Sequence, residues 1–296
     1  MNPMQPDWLT SGTGEAPSLR WGFTTDTPLV GLDIAIESGS MLAADDSGSL
    51  YQIDGRGRVV SATSGFGEVG LVTWSGDAGG CFVIGRRELC RVSVDLEVVW
   101  STTMPDDILA VAQTPAGNHI AVSLADRSTH ILDANQKPVA RFSTIIAMRH
   151  LNFLVEDASL IGAAEHGLLC RHGFSGAEVW NERPSSRIGE MSLSGDASRL
   201  FLAAFNHGIQ IYDQDGQRKG AFMLEGTPQS IATSYDAKRV AAATQEGHLY
   251  WLDGDGELIW ATVCEDTVHS LHVDPFGRWL CCGFESGRIV RLEWGS

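Results

Sequence analysis

The sequence predicts an all-β chain of repeated four-stranded units, and three observations along its 296 residues carry that prediction. First, Trp21, Trp100, Trp180 and Trp260 fall at intervals of 79, 80 and 80 residues, in "LRWGFTT", "EVVWSTT", "AEVWNER" and "ELIWATV". Halfway between them lie "RVVSAT", "PVARFS" and "RKGAFM", so seven related segments recur with a period near 40. Second, "LSGDASRLFLAA" at 193, "TSYDAKRVAAAT" at 233 and "VDPFGRWLCCGF" at 273 keep the same register, each a strand, a polar turn and an apolar strand. Third, "NHGIQIYDQDG" at 206, "QEGHLYWLDGDG" at 245 and "ESGRIVRLE" at 285 place glycine in a turn before apolar alternation, the pattern of a second hairpin. Two hairpins per period and no long amphipathic helix give a seven-bladed β-propeller with four-stranded blades of about 40 residues.

Lettering the strands a to d, the a strands begin near residues 31, 71, 110, 150, 190, 230 and 270. The last blade ends at "RIVRLEWGS" with only three strands, whereas "LRWGFTT" precedes blade one. The N-terminal strand around Trp21 is therefore expected to pair into the last blade and close the fold, protecting an otherwise open edge. Residues 20–296 read as one propeller domain, and residues 1–19, rich in Pro, Gly, Ser and Thr, as a flexible tail.

Composition narrows the partners. With 37 acidic against 21 basic residues the net charge is -16, which disfavours nucleic acid and anionic membranes. No apolar run approaches the roughly 18 residues of a membrane span, and no basic segment leads into an apolar one at the N-terminus. A cytoplasmic location is expected. The six cysteines form no CxxC pair and read as reduced core thiols; Cys90 and Cys170, 80 residues apart, occupy one position in two blades.

"HVDPFGRWLCCGFESGRIVRLE" resembles a WD40 repeat, and "LYWLDGDGELIW" resembles the repeat of the quinoprotein (PQQ-like) propellers. The resemblance spans nearly all of residues 20–294 and implies architecture rather than activity. The W-D pair of the first family is replaced by Tyr212-Asp213, Leu252-Asp253, Ile53-Asp54, Leu132-Asp133 and Leu292-Glu293, so its buried hydrogen-bond relay is not expected and apolar packing should hold the blades. The second family implies a calcium-PQQ site and usually eight blades. With seven blades here, no cofactor is carried over. Its vicinal disulfide has a counterpart in adjacent Cys281-Cys282, but neighbouring side chains on a strand point to opposite faces, which favours two buried thiols.

In such a fold the a strands line a central channel. One register, Leu32, Leu71, Val111, Leu151, Met191, Ile231 and Leu271, is wholly apolar and fits packing between blades. The next register supplies the channel candidates Asp33, Asn152, Ser192 and His272, a polar set short of the ligands a metal usually demands. Loops joining d to a and b to c carry the partner-binding candidates Asp45, Asp46, Asp106, Asp107, Glu165, Glu246, Glu265, Asp266 and Glu285, with Arg86 and Arg87 as a basic exception. Asp26, Glu190 and Glu225 belong to the same acidic set, and His166 and His207 occupy equivalent turns. An acidic face suits a basic protein or peptide.

"DGDGE" at 253 poses a choice between a calcium loop and a turn; the apolar "LIW" that follows removes the terminal glutamate a calcium loop needs, and "GFSGA" at 173 keeps the turn without the acids. No G-x-S-x-G elbow, P-loop or H-E-x-x-H motif occurs. The sequence thus points to a non-catalytic platform for protein-protein interaction, fit to serve as one subunit of a larger assembly. The alternative is a propeller enzyme, a lactonase-like hydrolase or a quinoprotein-like oxidoreductase, working in the channel.

Overall fold

A computed structural model describes residues 6–154 and 158–295. The fold is all-β, with seven four-stranded antiparallel blades, and blade number, strand order and closure are those of a seven-bladed β-propeller. The a strands are Leu29–Ala35, Leu71–Trp74, Ile108–Gln113, His150–Leu154, Ile188–Leu193, Pro228–Thr233 and Val268–Val273. Each begins within two residues of its expected start. Ser18–Thr24 is the d strand of blade seven: it pairs antiparallel with Arg288–Glu293, setting Trp21 opposite Arg291 and Phe23 opposite Ile289.

The period has a physical basis at two points of every blade. Each d strand carries a bulge, so that one residue is skipped in its pairing with strand c, as between Leu19 and Trp21, Val98 and Trp100, or Arg171 and His172 on the facing strand. The four repeat tryptophans follow their bulges directly and pair with Arg291, Arg91, Arg171 and Trp251. Each a-to-b turn places one residue in the left-handed region: Gly39, Ala78, Gly117, Ala158, Ala197, Ala237 and Gly277. Glycine adopts this conformation freely, whereas alanine there is strained by about 1–2 kcal/mol. The c-to-d turn is tied by a carboxylate in blades one, three, five and six; in blade six Asp253 Oδ1 accepts from the Asp255 and Glu257 amides, both at 2.9 Å. The DGDGE segment is such a turn.

The chain comprises two compact units. One, Met1–Leu29 with Ser186–Ser296, holds blades five to seven. Its largest core packs Trp251, Trp260, Leu249 and Ala243 of blade six against Leu271, Leu280, Phe284 and Val290 of blade seven. The other, Val30–Ser185, holds blades one to four and has seams such as Leu42, Leu50, Val72, Val83 and Val92 between blades one and two. Each fully buried side chain of this size stabilises by roughly 1.5–3 kcal/mol. All six cysteines are free and buried, and burial pushes the Cys170 thiol up to about 12, so these are packing residues.

Two features depart from the sequence reading. The segment read as a tail is packed from residue 6 onward, residues 1–5 lying outside those described. Asp7–Thr10 forms a helical turn that buries Trp8 and Leu9, with the Trp8 ring 5.9 Å from Phe284. Thr13-Gly14 then adds a fifth strand to blade six, opposite Ala261 and Trp260. The glycines serve close approach rather than looseness, since a Cβ at Gly14 would lie 2.2 Å from the Ile259 carbonyl oxygen. Second, short hydrogen-bond relays exist without the W-D pair. In blade one, buried Asp45 accepts from Ser47 Oγ at 2.6 Å and Tyr51 Oη at 2.8 Å; in blade three, Asp126 accepts from Ser128, whose Oγ lies 3.1 Å from His130 Nε2. An Asp at a tight b-to-c turn, a Ser two residues on and a ring on the following c strand are enough.

Candidate functional site

The four channel candidates all lie half-buried on a strands. Asp33 and Asn152 belong to the unit of blades one to four, Ser192 and His272 to that of blades five to seven. Asp33 Oδ1 accepts from the Ile34 amide at 2.8 Å, and Oδ2 from the Trp74 amide of blade two at 2.7 Å. Its carboxylate thereby joins two neighbouring a strands. Glu190 repeats the arrangement between blades five and six, with Oε2 2.7 Å from the Ile231 amide. Among the described residues, no group of three or more His, Cys, Asp and Glu side chains is placed to hold a metal ion.

The sequence groups Glu190 with the loop acids, but the side chain is half-buried within the strand Ile188–Leu193. Burial pushes its carboxyl up to about 7, only partly opposed by the Ile231 bond. Its charge therefore changes near neutral pH.

Of the loop candidates, Asp46, Glu246, Glu265 and Glu285 are exposed, whereas Asp106, Asp107, Glu165 and Asp266 are half-buried. Asp45 is buried outright. Burial acts to raise its pKa, but hydrogen bonds from Ser47, Tyr51 and Ser49 hold it below the usual carboxylate range, so this charge is used inside its own hairpin. The structure brings Arg86 and Arg87 together with Asp106 and Asp107. Arg86 Nε is 2.9 Å from Asp107 Oδ2, and the Arg87 guanidinium donates to the Met104 and Pro105 carbonyls. Glu165 pairs loosely with Arg149 at 3.8 Å. Glu246 accepts from the Thr227 amide and hydroxyl at 2.6 and 2.9 Å, bonds that lower its pKa. His166 and His207 are exposed, each on its own turn.

A cleft that the sequence did not reveal lies at the other end of blades six and seven, where the a-to-b turn of blade seven meets the last residues of its c strand. Its volume is about 480 Å³. Trp251, Trp279, Trp294 and Phe276 form the aromatic wall, and Arg239, Arg278 and Arg291 supply positive charge against Glu15 and Glu293. Trp294 stacks on buried Trp251 with centroids 4.4 Å apart and gives its indole N–H to the Glu15 carbonyl at 2.8 Å. The Arg291 guanidinium lies 4.3 Å over Trp279 and donates to Glu293 Oε1 at 2.6 Å. Arg278 stands 4.8 Å over the Phe276 ring and is steadied by Asp274 at 3.0 Å, its side chain still 65% exposed. Phe276 is 76% exposed. With Ile259 these residues come from six separate segments; the repeat relates Trp251 to Arg291, 40 residues apart, and the "PFGRW" turn supplies three of the others.

Among the described residues, no helix is long and apolar enough to cross a membrane. Neither a protein-family model nor a curated protein sequence matches the chain.

Proposed function

We propose that this chain is a non-catalytic protein-interaction platform of the WD40-like and PQQ-like repeat type, displaying an acidic loop face to a basic partner. The propeller fold is compatible with such a role. The observation that carries the reading is the display of exposed carboxylates on loops closed by backbone bonds. In the unit of blades five to seven, Asp26, Glu225, Glu246, Glu265 and Glu285 are exposed on d-to-a and b-to-c connections, with Asp266 half-buried among them. The connections hold their shape: the Gln245 amide donates to the Thr227 carbonyl at 2.9 Å, and the Glu285 amide to the Thr267 carbonyl at 3.0 Å. Fixed like charges steer an oppositely charged partner and speed its encounter without requiring any chemistry of their own.

The repeat-type assignment is supported by the Ser-x-Asp turns at Ser75, Ser194 and Ser234, whose hydroxyls reach Asp77, Asp196 and Asp236 at 2.7, 2.7 and 3.0 Å. A cytoplasmic setting and membership of a larger assembly complete the proposal.

The test uses the immobilised full chain, a lysine-rich 15-residue peptide and its glutamate counterpart. The lysine peptide should bind, lose about tenfold in affinity between 50 and 300 mM salt, and weaken further with the paired change Glu265→Lys and Glu285→Lys. Equal binding of both peptides, or indifference to the charge reversal, would remove the acidic face as the recognition element.

A further inference from the structure

We infer that the cleft between blades six and seven is a second binding site, one that takes a linear protein segment presenting an aromatic side chain beside a single carboxylate. The cleft differs from the acidic loops in charge, in shape and in the strand ends that build it, so this inference does not depend on them.

Three observations select that ligand. The volume, about 480 Å³, is in the range of small-ligand pockets and large enough for one aromatic side chain with its neighbours. The wall offers ring surfaces at different depths: Trp251 is fully buried beneath Trp294, whereas Phe276 stands in solvent at 76% exposure. An exposed phenylalanine against a concave aromatic wall is the kind of surface that marks an interaction site.

Charge decides the rest. Three arginines face two glutamates around the cleft in a chain whose net charge is -16. Glu293 is already engaged, by Arg291 at 2.6 Å and Arg20 at 3.6 Å. Arg278 uses its Nε on Asp274 and keeps an exposed, pre-positioned guanidinium at the rim, where a planar carboxylate matches the fork of its terminal nitrogens. A polyanion would meet Glu15, Glu293 and the field of the whole chain, whereas one carboxylate on an apolar anchor needs only the exposed Arg278 fork at the rim.

The probe is the peptide acetyl-Gly-Phe-Glu-Gly-amide, compared with versions carrying Gln for Glu or Ala for Phe, and with inorganic phosphate. Binding to the full chain is read by calorimetry and by the fluorescence of the cleft tryptophans. The Phe-Glu peptide should bind at least tenfold more tightly than either altered peptide. Arg278→Gln should erase its preference over the Gln peptide, and Phe276→Ala its preference over the Ala peptide. Both substitutions are at exposed side chains, and an unchanged melting temperature confirms that each variant is folded. No binding, equal binding of all three peptides, insensitivity to both substitutions, or phosphate competing at equal concentration would each overturn the inference.

Discussion

At the loop end of blades six and seven, Glu246, Glu265 and Glu285 stand on connections of a few residues each; at the turn end, Arg239, Arg278 and Arg291 gather around Phe276, Trp279 and Trp294. The same strands join the two ends, yet the ends are built differently. At the loop end, connections hold one another only in neighbouring pairs: Glu246 accepts from Thr227, and the Glu285 amide donates to the Thr267 carbonyl. The cleft at the turn end exists only because six segments converge, two of which, Glu15 and the Trp294 it contacts, depend on the N-terminal chain completing blade seven. One end should tolerate local change, and the other should not.

The most severe way to break that comparison is to delete residues 1–28. This removes the d strand Ser18–Thr24, leaves the edge of Arg288–Glu293 without its partner, and exposes the core beneath Trp8, Leu9 and Trp21. Three large buried side chains and a row of ladder bonds exceed the margin by which most domains are stable. Expression of the truncated chain should give no soluble folded protein; a soluble product with an unchanged melting temperature would defeat the closure.

A narrower change separates the ends. Trp8 is 4% exposed, packs on Phe284, lies under the Arg288 guanidinium at 6.0 Å, and accepts at its carbonyl from the Thr262 hydroxyl. All of these lie toward the loop end. Trp8→Ala should cost about 3–5 kcal/mol of stability, seen in denaturant unfolding, while the Phe-Glu peptide still binds the turn end below the melting temperature. Loss of both together would mean that the ends are coupled through the core.

The difference also explains what the sequence disclosed. The period was legible because each repeat tryptophan follows a bulge in its d strand, and each left-handed turn residue recurs at intervals of 39 to 41. The loop acids were legible as a class because charge on a connection is a local property. Their burial was not: Asp45 and Asp46 are neighbours in sequence, yet one is buried in its hairpin and the other exposed. The cleft was illegible because, although Trp251 and Arg291 share one repeat position 40 residues apart, Glu15, Phe276 and Trp294 join them from outside that register. The N-terminal strap was misjudged because a composition rich in glycine fits close strand approach, as at Gly14, as well as it fits disorder.

Within the loop end, Glu190 behaves unlike its exposed neighbours. An unfolded glutamate loses its proton near 4.5, whereas the folded Glu190 carboxyl loses it at about 7. Between those values the folded state holds the extra proton, so this group's contribution is complete below about 4.5 and is lost as pH rises through 7. Glu190→Gln keeps an acceptor for the Ile231 amide and removes the charge. The variant should match the parent at pH 4 and exceed it at pH 8 by about 1–3 kcal/mol. A constant difference across that range would show that the carboxyl does not titrate in the folded chain.

The smallest effect belongs to the turn end. Ala197 holds φ 56° in the a-to-b turn of blade five, where blades one, three and seven use Gly39, Gly117 and Gly277. The turn is otherwise well tied: the Ala197 amide donates to the Ser194 carbonyl at 2.9 Å, and Asp196 accepts from Ser194 and Ser198. Strain at Ala197 is therefore overcome by bonds around it rather than relieved. Ala197→Gly relieves it in the folded state while giving the unfolded chain more freedom, and the two effects oppose each other. Since a left-handed alanine costs roughly 1–2 kcal/mol and the added entropy roughly 0.5–1 kcal/mol, the net gain should be about 0.5–1 kcal/mol, readable as a small rise in the denaturation midpoint at unchanged slope. A loss of stability would mean that the turn depends on the alanine methyl for packing. The repeat would then owe its regularity at this point to contacts rather than to backbone preference.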